Sequence, residues 1–305
     1  METPLAITQP SVFVVAWRYA PLWLLAAALA FTAAFADNQV GWLSTLTHTK
    51  PVIPYATVTL VILALGCEFI DATIGMGYGT TLTPVLILLG YPVHMIIPAT
   101  VLSQLGGNIS AAFFHHQLGN VDFLRDHKAR NSALIMGGLG LLVAMMTASL
   151  AIKIPGRMLQ PIVASIVLAM GVFLLVARQI KPTFRWRNIA ILSMLAAFNK
   201  SLTGGGYGPL VCGGQILAGI NVRSAVATTA VAEAVVCVAT VGTYWLSGVR
   251  MPLELLLPLM AGALLSTPLS ALVLRKMSIE LAKKLMGLAI SVLGLLALLK
   301  VITAV

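Results

Sequence analysis

Four ionisable residues stand inside long apolar stretches of the chain: Glu68, Asp71, Lys200 and Glu233. Each costs at least about 2.5–3.5 kcal/mol to hold in hydrocarbon, so such residues are functional candidates by default. A fixed ammonium group attracts an anion, whereas carboxylates exchange protons, hold cations or close ion pairs. Glu68 and Asp71 are one helical turn apart and share a face. Lys200 precedes Gly204 by four residues, as Asp71 precedes Gly75. Asn199, Ser201 and Thr203 place hydrogen-bond donors around the lysine.

Two glycine clusters follow these charges, Gly75-Met76-Gly77-Tyr78-Gly79 and Gly204-Gly205-Gly206-Tyr207-Gly208. Glycine there frees the backbone to turn and leaves its N–H groups accessible. The start of the next helix adds a positive dipole end. Pro209 suits that first turn, where its missing N–H is no loss. The expected anion-binding set is therefore Lys200, Asn199, Thr203, Gly204, Gly205, Gly206 and Tyr207, with Gly75, Gly77, Tyr78 and Thr80 from the first cluster. Asp71, Glu68 and Glu233 are expected in proton coupling or ion pairing. Two readings stand for Lys200: a charge for the ligand, or a buried pair with Asp71. Each tyrosine either donates its hydroxyl to the ligand or caps its cluster by packing. Thr80, Thr81 and Thr83 either donate to an anion or satisfy freed backbone groups.

Other polar residues read more plainly. Gln104 and Asn108 suit hydrogen bonding between helices. His94 and Arg223 begin apolar runs and read as interfacial. His115 and His116 have no carboxylate partner in a metal-binding spacing, so no metal is expected. Cys67, Cys212 and Cys237 lack ligand spacing and read as small buried hydrophobes.

The elements that must position these residues are set by composition. Hydrophobic residues make up 59% of the 305, and charged residues only 9% against about 25% in a soluble domain. Mean hydropathy is +0.98. Water cannot be the solvent for that surface; a bilayer can. The net charge of +10 sits in short clusters between apolar runs, which is the positive-inside pattern rather than a nucleic-acid footprint. Full-length spans are expected at 12–36, 93–116, 132–152, 158–178, 222–246, 252–274 and 280–302. Around the glycine clusters the following apolar pieces, 80–89 and 209–220, are too short to cross, so both regions read as broken or re-entrant hairpins. Ala34-Phe35-Ala36 has the look of a signal-peptidase site, but the long segment before the run favours an uncleaved anchor helix.

The two odd regions repeat at an offset of 129, with ten identities between Phe69 and Thr100 that include Gly75/Gly204 and the Gly-Tyr-Gly triplets. Asp71 is thus the partner of Lys200, and Gln104 that of Glu233. Paired glycine-interrupted segments in two halves mark the binding site of a secondary transporter. Placing Arg125/Lys128/Arg130, Arg178/Lys181/Arg185/Arg187 and Arg275/Lys276/Lys283/Lys284 in the cytoplasm makes each half a hairpin plus three spans. The halves then run antiparallel, with the N-terminus cytoplasmic and the C-terminus external. The expected fold is an all-α polytopic membrane protein of two inverted repeats, 52–180 and 181–305, preceded by an N-terminal helix and loop at 1–51.

No phosphate-binding loop, nucleophile elbow or dinucleotide fingerprint occurs, so neither an enzyme nor a cofactor is expected. The driving force is then a proton gradient or the membrane potential. The leading reading is alternating-access transport of a small anion through the bilayer. Its rivals are a cation/proton exchanger or channel using Asp71, Glu68 and Glu233, and a membrane assembly factor or enzyme using Cys67 or Cys212.

Thr203-Gly-Gly-Gly-Tyr207-Gly208-Pro209, with Ile74-Gly-Met-Gly-Tyr78-Gly79 and Pro84, resembles the paired motifs of the TauE/SafE sulfite exporter family. The first motif departs by having Met76 and no glycine triplet. The resemblance runs from Val52 to Val305. It implies a bacterial-type inner-membrane permease for small anions such as sulfite and organosulfonates, often in export.

Overall fold

The computed structural model describes residues 54–176, 185–217, 220–273 and 279–303. The expected helix at 12–36, its cleavage motif and the segment 1–51 lie outside them. Ten helices carry the described residues, among which no strand occurs: α1 (Pro54–Ile74), α2 (Tyr78–Leu88), α3 (Val93–Gln117), α4 (His127–Lys153), α5 (Gly156–Val176), α6 (Trp186–Thr203), α7 (Tyr207–Leu217), α8 (Val222–Leu246), α9 (Leu253–Val273) and α10 (Ile279–Thr303). Six of them, α1, α3, α4, α5, α8 and α9, are long and apolar enough to cross a membrane.

Local chemistry sets the helix ends. The Asp126 side chain accepts the Ala129 N–H at 2.9 Å and starts α4, and Asn221 does the same for Arg223 at 2.9 Å before α8. The α6 helix stops at Gly204, whose φ of +79° only glycine adopts freely. Gly75 ends α1 with a φ of +80°.

The two glycine-flanked regions have one long and one short arm. With 21 residues, α1 is about 31 Å long, enough to cross a bilayer by length. The short arms are α2 and α7, of 11 residues each, about 16 Å or half the hydrocarbon thickness.

Helix packing follows the 129-residue offset. α1 packs on α9, and its counterpart α6 packs on α4. α3 packs on α9, and its counterpart α8 packs on α4. α3 also packs on α8, and α5 on α10, each a pair that maps onto itself. Glycines allow the α5–α10 approach: a Cβ on Gly171 would lie 2.7 Å from Ser291 Cα, and one on Gly294 would lie 2.6 Å from Leu168 N. Small residues at such interfaces let helix backbones meet where the hydrophobic effect gives no drive.

Candidate functional site

The two glycine segments touch through their backbones. A Cβ on Gly79 would lie 2.6 Å from Gly205 Cα, and one on Gly208 would lie 2.7 Å from Met76 Cα. Nothing larger than glycine fits at either place without moving main chain. Hydrogen bonds cross between the same segments. Thr83 Oγ1, on α2, donates to the Thr203 carbonyl at 3.3 Å. Cys212 Sγ, on α7, donates to the Ile74 carbonyl at 3.4 Å. Thr83 and Cys212 are repeat partners, as are Ile74 and Thr203, so the two bonds are reciprocal. Each serves a carbonyl in the last turn of a helix, where the ladder has run out of donors.

Beside these contacts runs a buried polar string. Gln104, from α3, donates Nε2 to Asp71 Oδ2 at 3.0 Å, and its Oε1 accepts from Lys200 Nζ. Lys200 Nζ also donates to the Gly204 carbonyl at 3.1 Å and lies 3.2 Å from Glu233 Oε1. The string therefore orders Asp71, Gln104, Lys200 and Glu233 across four helices. Sequence reasoning offers Asp71 as the pair partner of Lys200; the lysine is instead paired with Glu233, and Asp71 is reached through the amide. Gln104 is the central residue that the expected site set omits. Its repeat relation to Glu233 was the available signal.

Asp71 has a second role. Its Oδ1 accepts the Tyr78 N–H at 3.2 Å, so a carboxylate sits at the start of α2, where the helix dipole favours it. Glu68 differs: it is fully buried, and neither carboxyl oxygen has a hydrogen-bond partner. Its head lies against Gly107, where a Cβ would come within 2.6 Å of Oε1. The repeat partner of Glu68 is Ala197, so the second half has no equivalent charge.

The tyrosines part ways. Tyr78 OH shares a 2.7 Å hydrogen bond with Ser103. Tyr207 OH has no partner, because Ala232 stands where the repeat would put a serine. Thr203 Oγ1 is held by its own cluster, donating to the Asn199 carbonyl at 2.9 Å. Gly205 N–H donates to Thr203 Oγ1 at 3.2 Å. Further donors stay unclaimed nearby, among them Asn199 Nδ2, against Gly206, and the Oγ1 atoms of Thr80 and Thr81. Gly75, Gly77, Gly204 and Gly206 all take positive φ and form the turns.

A cavity of about 10 Å³ opens between α1, α3 and α8. Asp71, Asn108, Thr229 and Glu233 line it, and its volume is that of about one water. Asn108 stands there beside the Glu233 carboxyl group.

The remaining candidates lie away from the string. Buried His115 faces the Ala72 carbonyl through Nε2 at 2.9 Å, and its Nδ1 faces Asn120 Nδ2 at 3.0 Å, so it ties helices together. The three cysteines, Cys67, Cys212 and Cys237, are buried. No metal-ligand cluster occurs among the described residues. His94 and Arg223 are exposed at the starts of α3 and α8.

Helices of membrane length around a buried charged string define a polytopic helical membrane protein. The chain belongs to the sulfite exporter TauE/SafE family of membrane transporters, whose sequence model matches residues 58–297. It is 25% identical over 252 residues to the probable membrane transporter protein YtnM of Bacillus subtilis (strain 168), across 78% of this chain and 79% of that one. No solved structure matches it.

Proposed function

We propose that the protein is a secondary transporter, a permease or exporter, for a small oxyanion of the sulfite or organosulfonate class. It works in the inner membrane by alternating access between two inverted halves, 52–180 and 181–305, with the N-terminus cytoplasmic and the C-terminus external. A proton gradient or the membrane potential drives it.

The observation that carries this reading is the backbone contact between two glycine segments beside a buried lysine. Broken helices that meet beside a fixed charge are the form of a midplane site. The helix pairing that exchanges under the 129-residue offset supports two related halves. The family description, sulfite exporter, supports the anion class. Lys200, Asn199, Thr203, Gly204, Gly205, Gly206 and Tyr207, with Gly75, Gly77, Tyr78 and Thr80, form the proposed substrate environment.

In an alternating-access cycle this arrangement fits a closed state. Lys200 is fully buried and its three donors have acceptors, so an anion enters only when those partners yield. A second reading has its own support: Glu68, Asp71 and Glu233 surround one lysine, an excess of carboxylate that suits a cation/proton exchanger.

Flux into proteoliposomes separates the two. A panel of sulfite, thiosulfate, sulfoacetate and simple carboxylates, with and without a pH gradient, shows saturable uptake of at least one sulfur oxyanion if the first reading holds. Proton or cation flux independent of every anion establishes the second instead.

A further inference from the structure

The Lys200 ammonium has three N–H donors, and its three acceptors are unequal. The Gly204 carbonyl is fixed main chain, and Gln104 is also held by Asp71. Glu233 is the charged partner and sits on a different helix. An anion that reaches Lys200 must therefore replace Glu233.

The repeat indicates where that anion rests. In the first half, the Asp71 carboxylate takes the Tyr78 N–H at the start of α2. The offset puts Lys200 at the place of Asp71 and Tyr207 N–H at the place of Tyr78. The second half thus has a helix start without its own carboxylate, next to a cation. Asn199 is only 5% exposed, and its Nδ2, without a partner, lies against Gly206 at that same start.

Glu233 also has somewhere to go. The cavity of about 10 Å³ lies against it, and Asn108, which already stands beside the Glu233 carboxyl group, lines the wall. A neutral carboxyl group turned that way accepts from the amide.

We propose that the transported anion and Glu233 compete for Lys200, and that the displaced Glu233 takes up a proton, so that each monoanion moves with one proton. This inference rests on the oxyanion reading above. The balance closes. Before exchange, the Lys200 ammonium faces the Glu233 carboxylate. Afterwards it faces the anion, and Glu233 is a neutral acid that has taken its proton from water on the side of entry. One O–H bond forms on Glu233 as one breaks in solvent hydronium, which leaves as water. The ionisable groups around Glu233 are Asp71 and Glu68 on α1, Lys200 on α6, Tyr207 on α7 and Cys237 on α8. With Lys200 given to the anion, none of these supplies a positive charge. A bare carboxylate in that company is strongly disfavoured, which draws in the proton.

The test uses the full chain in proteoliposomes with an internal pH dye. The probes are methanesulfonate, a fixed monoanion near neutral pH, and sulfite. For whichever anion the wild type moves, proton movement per anion is compared with that of Glu233→Gln, which cancels the anion's own buffering. The expected difference is one proton per anion. The anion concentration for half-maximal flux also falls about tenfold in the variant, because its competitor is gone. Glu233→Asp keeps the proton. Since Glu233→Gln leaves a buried lysine unpaired, a thermal-shift measurement in detergent accompanies it: the anion raises the variant's midpoint more than the wild type's. Equal proton movement per anion in both proteins, or equal thermal shifts, overturns the inference alone. A wild type that moves neither anion overturns the oxyanion reading as well.

Discussion

Lys200 Nζ lies 3.2 Å from Glu233 Oε1, and the two side chains are 0% and 2% exposed. Removing one partner of such a pair strands the other. Lys200→Ala is expected to abolish anion flux and to cost about 3–5 kcal/mol of stability. Lys200→Ala combined with Glu233→Ala recovers much of the stability and none of the flux. Thermal unfolding in detergent and flux in proteoliposomes read the two effects separately. Flux that persists in Lys200→Ala refutes the substrate role.

Backbone contact between the glycine segments leaves no room for a methyl group. Gly79→Ala and Gly208→Ala each drive a Cβ into opposing main chain and are expected to cost about 1–3 kcal/mol with a large loss of flux. Gly213→Ala is the control. A Cβ at Gly213, on α7, meets nothing within 4 Å, so it gains up to about 1 kcal/mol from helix propensity. Equal behaviour of all three variants contradicts the contact.

The tyrosine hydroxyls should respond differently to removal. Tyr78→Phe breaks the bond to Ser103 and is expected to cost about 1 kcal/mol. Tyr207→Phe deletes a buried hydroxyl that has no partner, and stability should stay level or rise. A clear loss of flux in Tyr207→Phe with stability intact would assign that hydroxyl to the substrate.

The inverted arrangement predicts sides. A reporter fused near Arg185 should read cytoplasmic, and one fused after Thr303 should read external. Two reporters on the same side are incompatible with antiparallel halves.

Much of the frame was legible because glycine and apolar runs are written along one dimension. The Gly-Tyr-Gly triplets announced both helix breaks, and α3, α8 and α9 fall within a residue or two of the expected spans. What sequence could not supply was which side chain faces which across the packed halves. The offset made Asp71 the equivalent of Lys200, and equivalence suggested pairing. Residues related by a sequence repeat need not touch, however. Here Gln104 stands between them, and Lys200 turns to the equivalent of Gln104, which is Glu233.

The reciprocal bonds from Thr83 to Thr203 and from Cys212 to Ile74 bear on how the chain is made. During synthesis the first half enters the bilayer with the Ile74 carbonyl still waiting for a donor that lies 138 residues further on. Water cannot relieve that carbonyl in a lipid interior. The first half is therefore unfinished until the second arrives. Two halves expressed as separate polypeptides would mature only when produced together.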